Sequence, residues 1–226
     1  MNKSKEHQII PPDNRPPGWQ RKAVGGLWEE MGKLQFDFLK DQGLKPEHYM
    51  LDVGCGCLRG GVHFICYLEL RHYFGVDINS ELLEAGKSEL MKSDLLAKKP
   101  VLVNNGDFDF KPFGRKFDFA LAQSVFTHLP LNNIIKCLMN IEKALLPGGR
   151  FYATFLENIK GKFDLSPVSH HRADGPDFNT FFDKDPFHYD FDVFEWICKG
   201  STLKAECLGE WGHPRDQKMM VFKKQP

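Results

Sequence analysis

Met50-Leu51-Asp52-Val53-Gly54-Cys55-Gly56-Cys57-Leu58-Arg59-Gly60-Gly61 decides the fold of this 226-residue chain. An apolar run enters a glycine-rich turn, and a second short run ends in an acid at Tyr73-Phe74-Gly75-Val76-Asp77. A doubly wound α/β sheet presents bare backbone to a nucleotide-like ligand in this way, and a carboxylate to its ribose. The turn reads acid-x-Gly-x-Gly, not the Gly-x-Gly-x-x-Gly that aims backbone N–H groups at a pyrophosphate.

Outward from that stretch, strands and helices alternate. Strands are predicted over 49–53, 72–77, 101–104, 117–122 and 150–155. Helices are predicted over 60–69, from Ser80 onward with its hydroxyl as cap and Glu81 in the first turn, and over 132–146. Pro147-Gly148-Gly149 ends the last of these and turns into the fifth strand. Such alternation implies a parallel sheet with helices on both faces. A further helix over 191–200 leads to segments 201–208 and 218–222, an expected antiparallel pair. Before the first strand, Leu27, Met31, Leu34, Phe38 and Leu39 recur at helical spacing, and Gly43 closes a helix assigned to 24–43. Residues 1–18 are polar and proline-rich and read as a mobile arm. Residues 156–189 mix glycine, proline, aspartate, aromatics and histidine without period, as expected of a lid or binding loop. The whole reads as one domain without internal repeats.

The glycine turn and its following acid resemble the first motifs of the class I S-adenosylmethionine-dependent methyltransferases. Later segments follow in that family's order and spacing from about Leu51 to the C-terminus. The resemblance implies a Rossmann-like, mostly parallel seven-stranded sheet with a terminal antiparallel pair, and methyl transfer from S-adenosylmethionine. The chain departs from the family pattern at Leu58, where a third glycine is common.

Residues for the cofactor follow. Gly54, Cys55 and Gly56 would let a ligand approach backbone, with Asp52 anchoring the turn by accepting N–H bonds. Asp77 would accept hydrogen bonds from the ribose hydroxyls, or else cap the helix that follows it. Ile78 would then pack on adenine. The resemblance implies that Asp107 meets the adenine amino group, that Phe108 stacks on the ring, and that the Gln123 backbone receives the methionine amine. It also implies a helix lying over the cofactor, with Gln35 closing on its methionine end. Arg59 reads as a ligand for the cofactor carboxylate or an acidic substrate, or as a solvated helix-end charge.

Methyl transfer is an in-line displacement in which alignment supplies much of the acceleration, and an alcohol or phenol acceptor benefits from a general base. His128, His171 and His188 are the candidates, with His170 and His213 as neighbours. His170, His171, Asp174 and Asp177 lie close in sequence but lack a helical His-x-x-x-His or paired-Cys signature, so no metal is expected. Segment 123–130 is not the Asp/Asn-Pro-Pro-Tyr/Phe of enzymes that methylate planar nitrogens. These features favour a small-molecule acceptor, with oxygen as the acceptor atom. The alternatives are a non-catalytic cofactor-binding or regulatory protein, an aminopropyl transferase on a decarboxylated cofactor, and a methyltransferase of RNA or protein.

Composition bounds the partners. Thirty Lys and Arg balance thirty Asp and Glu, so nothing steers the chain towards nucleic acid or anionic membranes. Six cysteines without a Cys-x-x-Cys pair suit reduced thiols in a cytoplasmic protein. Neither a signal peptide nor a membrane span is expected.

Overall fold

The computed structural model describes residues 15–161 and 164–226. Seven strands form one sheet in the order β3-β2-β1-β4-β5-β9-β8. These are β1 (Met50–Val53), β2 (Tyr73–Asp77), β3 (Val101–Asn104), β4 (Phe117–Ala122), β5 (Leu145–Phe155), β8 (Leu203–Gly209) and β9 (Lys218–Lys224). The first five run parallel, and β9 inserts antiparallel between β5 and β8. The Rossmann-like fold expected from the sequence is therefore the fold observed.

Period-two alternation builds a core on each face of the sheet. Leu51, Val53, Val76, Ala120, Phe151 and Ala153 pack towards α5 (Leu131–Ala144) and α6 (Asp192–Cys198). Met50, Tyr73, Phe119, Leu121 and Tyr152 pack on the other face. There they meet α2 (Trp28–Asp41), α3 (Gly61–Tyr67) and α4 (Ser80–Lys92). Helix α5 buries Ile134, Cys137, Leu138 and Ile141, the three-and-four spacing of a helix with one apolar stripe.

Four local expectations are corrected. Asn79, not Ser80, caps α4: its side-chain oxygen accepts the N–H groups of Glu81 and Leu82 at 3.0 and 3.2 Å. Helix α5 stops at Ala144, and Pro147-Gly148-Gly149 lies inside β5, because a residue before proline is held extended. The stretch 156–189 contains an antiparallel hairpin, β6 (Val168–His170) with β7 (Phe178–Thr180). A short helix α1 (Trp19–Ala23) precedes α2. Of the arm expected over 1–18, residues 1–14 lie outside those described, whereas Arg15 is ion-paired with Glu81 at 2.6 Å.

Helix α1 and its linker form a strap across the carboxyl end of the sheet. Gln20 and Arg21 both bind Glu89 of α4 at 2.8 and 2.7 Å, and Cys57 Sγ lies 3.3 Å from the Gln20 carbonyl. No described helix is long and apolar enough to cross a membrane.

Candidate active site

A cavity of about 740 Å³ opens under the strap at the carboxyl ends of β1, β2 and β4. Open α/β sheets bind ligands at this edge. Its floor is the glycine turn. The N–H groups of Gly54 and Cys55 both donate to the Val76 carbonyl, at 2.8 and 3.0 Å. Gly54 and Gly56 have φ of +72° and +53°. A Cβ on Gly54 would lie 2.5 Å from Val125, and one on Gly56 2.8 Å from Val24 of the strap. Leu58 also adopts a left-handed backbone, with φ +70°, so it takes the conformation a glycine would take at this position.

Asp52 does not anchor the turn by accepting its N–H groups. Its carboxylate accepts the Tyr73 hydroxyl at 2.6 Å, because β1–β2 register sets Met50 beside Tyr73 and turns both side chains to the α2–α4 face. Burial, opposed by that hydrogen bond and reinforced by Asp77, pushes its pKa up to about 7. The turn is anchored instead by Asp77, which accepts the Gly56 N–H and the Asn79 N–H, each at 2.8 Å. Burial raises the Asp77 pKa, and these two bonds oppose the shift. Each carboxylate oxygen retains a lone pair for a further donor.

Ile78 lines the cavity next to Asp77 and is 77 % exposed, an apolar surface suited to one face of a planar ring. Asp107 and Phe108 are not brought to the cavity wall. The Asp107 side chain points out to Lys136 of α5 at 2.7 Å, and Phe108 packs against the core below.

The other end of the cavity is polar. Arg59 is buried, and it is no solvated helix-end charge. Its guanidinium donates to the carbonyls of Val24 and Gly26 at 2.7 and 2.9 Å and to Gln123 Oε1 at 2.8 Å. Because Arg59 can only donate, the Gln123 amide must present its oxygen there, leaving its NH2 for Ser124 Oγ at 2.6 Å. Burial, with Arg215 adding to it, lowers the Arg59 pKa to about 10. His213 Nε2 lies 3.1 Å from Gln123 Nε2, and burial beside Arg59 and Arg215 lowers its pKa to about 3, so this ring is neutral. Gln35 lines the same end, its amide held by the Met31 carbonyl at 3.0 Å.

Of the three candidate bases, only His128 lines the cavity. Its Nδ1 lies 2.6 Å from Asp185, which also lines the mouth, and both side chains are about half exposed. Phe187 N–H donates to the Thr127 carbonyl at 2.8 Å and holds the two segments together. His171 lies elsewhere, on the hairpin surface against Asp177 at 3.1 Å. His188 is buried beneath the hairpin, its Nδ1 2.8 Å from Thr180 Oγ1. His170 bridges the same hydroxyl to Asp216. Among the described residues no cluster of three or more His, Cys, Asp or Glu side chains is arranged to hold a metal.

Sequence reasoning missed the strap residues Lys22, Val24 and Gly25, together with Asp185 and Gln217. Gln217 Oε1 accepts from Ser124 and Thr154 at 2.9 and 2.8 Å. The polar turn over 210–215 was the available signal for the last segment.

Residues 51–151 match the family model described as a methyltransferase domain. Among solved structures, an S-adenosylmethionine-dependent methyltransferase from Clostridium acetobutylicum superposes with a TM-score of 0.66 at 13% identity, covering 92% of this chain and 96% of that one. The CcbJ methyltransferase from Streptomyces caelestis gives 0.64 at 14% identity, over 86% and 90%. The glycopeptide N-methyltransferase MtfA, solved with S-adenosyl-L-methionine, gives 0.62 at 13% identity, over 86% and 94%. The family match falls on the glycine turn and the parallel half of the sheet, which therefore carry a methyltransferase domain, and the solved structures share the fold of the whole chain.

Proposed function

We propose that the cavity under the strap binds S-adenosylmethionine and presents its methyl group to the oxygen of a small-molecule acceptor. The observation that carries this reading is the His128–Asp185 pair at the mouth of the cavity whose floor is the glycine turn. The residues suit the cofactor on three counts. The Cβ-free turn admits close approach, Asp77 keeps free lone pairs beside it, and Ile78 exposes an apolar face. Bound there, the cofactor supplies a methyl group on a sulfonium, open to displacement by a nucleophile.

The chain's own residues then divide the work. Asp77 accepts the ribose hydroxyls, and Ile78 covers adenine. Asp52, Arg59 and Gln123 surround the amino-acid end, with Gln35 and the strap excluding water above. Asp185 accepts the His128 Nδ1–H and so fixes the tautomer that leaves the lone pair on Nε2. Nε2 would then take the proton of an acceptor hydroxyl placed beside it. Asp185 comes from the segment expected to cover substrate, which supports that role for 156–189. Six cysteines without a disulfide support a reducing, cytoplasmic setting.

The test is incubation with labelled methyl donor and a panel of hydroxylated, thiol and amine small molecules. Label transfer to a hydroxyl, lost in His128→Ala, is expected. Transfer to RNA or protein alone would overturn the small-molecule reading, and transfer to nitrogen undiminished in His128→Ala would overturn the oxygen chemistry.

A further inference from the structure

Thirty cations balance thirty acids in the chain, but the fold does not mix them evenly. The parallel strands put the residues just before β2, β3 and β4 at the end of the sheet opposite the cavity. Arg71, Lys98, Lys99, Arg115 and Lys116 gather there, and none is ion-paired among the described residues. Elsewhere cations meet acids: Arg21 with Glu89, Lys136 with Asp107, Arg172 and Arg215 with Asp174. The exposed acids at this end are Glu47, Glu69 and Asp94, while Asp118 and Glu142 spend carboxylate oxygens on the backbone N–H groups of Tyr49 and Thr202. Burial, and then Lys116 beside it, lowers the pKa of Lys224, as expected where like charges collect.

The turns that enter β2 and β3 touch one another. The Arg71 N–H donates to the Lys98 carbonyl at 2.9 Å, and the Lys98 ammonium donates to the Leu68 carbonyl at 2.8 Å. Arg71 and Lys99 hold φ of +63° and +50°, a region glycine enters at lower cost, so each position carries a cation in spite of its backbone. On the same turns stand three aliphatic side chains, Leu70, Met91 and Leu96, 53 %, 66 % and 43 % exposed. Met91 lies in the last turn of α4, and Leu96 opens the short turn Leu96–Lys98 that leads into β3. Scattered apolar side chains are ordinary on a surface. Three among unpaired cations form the pattern of a lipid–water interface, with aliphatic groups below the headgroups and Lys and Arg stems reaching the phosphates. A single strand of nucleic acid would instead stack its bases on exposed rings. Tyr49, the ring at this end, lies between the Arg115 guanidinium at 3.6 Å and the His72 ring at 3.9 Å, and the exposed rings Phe182 and Trp196 belong to other segments. We infer that the amino end of β2, β3 and β4 is a docking surface for an anionic lipid bilayer. A bilayer seated there leaves the carboxyl end of the sheet, with its cavity, facing water. The two ends are separate, so the docking stands whether or not the cavity holds S-adenosylmethionine.

The experiment sediments the full chain with vesicles of phosphatidylcholine alone and of phosphatidylcholine mixed with phosphatidylserine, at low and high salt. Binding to the mixed vesicles only, released by high salt, is expected. Lys99→Glu combined with Lys116→Glu is expected to lower the partition coefficient by roughly tenfold or more. Leu70→Gln combined with Leu96→Gln is expected to lower it by roughly threefold or more. Lys33→Glu, on the exposed face of α2, is expected to leave it unchanged, and unchanged melting temperatures show that the variants fold. Absence of vesicle binding by the wild type, or equal binding to both vesicle types, overturns the docking. Binding undiminished in either double variant, or weakened as much by Lys33→Glu, overturns it too. Retention of a single-stranded RNA oligomer by a protein that ignores vesicles would make the patch a nucleic-acid surface instead.

Discussion

The Gly56 N–H donates to the Asp77 carboxylate at 2.8 Å, so the acid that ends β2 holds the glycine turn that follows β1. The group assigned to the ribose is thus also the group that shapes the cavity floor. Replacing it disturbs binding and architecture together. Asp77→Ala is expected to weaken S-adenosylhomocysteine binding by about 1.5–3 kcal/mol, the cost of lost charge-assisted bonds, and to lower the melting temperature as well. Asp77→Asn keeps one acceptor oxygen and is expected to lose less on both counts. Calorimetry and thermal unfolding of the two variants check this ordering, and an Asp77→Ala protein of unchanged affinity removes Asp77 from the site.

Asp52 makes stability depend on pH. In the unfolded chain it ionises near pH 4, whereas in the fold burial raises its pKa to about 7. Between those values the folded state holds the extra proton, so stability contributed by this group falls as pH rises from about 4 to 7 and levels off above. The shift corresponds to up to about 4 kcal/mol. Asp52→Asn keeps an oxygen for the Tyr73 hydroxyl and removes the titration. The variant should melt higher than wild type at pH 8 and close to it at pH 4, while binding cofactor less well. Parallel melting curves across that range would contradict the assignment.

Leu58 reverses a familiar substitution order. It is fully buried and sits at φ +70°, a conformation costing a non-glycine residue about 1–2 kcal/mol. Leu58→Ala loses roughly 2–5 kcal/mol of burial and keeps the backbone strain. Leu58→Gly loses the same side chain but relieves that strain. Chemical denaturation is therefore expected to find the glycine variant more stable than the alanine variant, by about 1 kcal/mol.

His128 and Asp185 act as a base and its orienting partner. On the acceptor identified by label transfer, His128→Ala is expected to lower kcat by roughly 10²–10⁴-fold, and Asp185→Asn by less. Affinity for S-adenosylhomocysteine stays unchanged in both. Loss of that affinity in His128→Ala would make the residue part of the cofactor wall instead.

Local signals in the chain announced the sheet, since each central strand is a short apolar run bounded by turn residues. They announced the floor of the site for the same reason: Gly54, Gly56 and Asp77 lie within 24 residues of one another. What escaped depends on contacts between distant segments. Asp185 stands 57 residues from His128 and joins it only through the fold. The strap looks polar and proline-flanked in sequence, and its order comes from Glu81 and Glu89 on α4 and from Arg59 and Arg215 in loops, all outside the strap itself. Asp52 was read as a backbone anchor because its partner, Tyr73, becomes a neighbour only through β1–β2 register. Asp107 was carried over by resemblance, and Lys136 on α5 draws its side chain away from the cavity.

The most direct measurement is a calorimetric titration of the wild-type protein with S-adenosylhomocysteine, with NAD as control, repeated on Asp77→Ala. A saturable heat for S-adenosylhomocysteine alone, sharply weakened in Asp77→Ala, is the predicted result. Equal binding of both nucleotides, or binding indifferent to Asp77, would contradict the assignment of the glycine-turn cavity as the cofactor site.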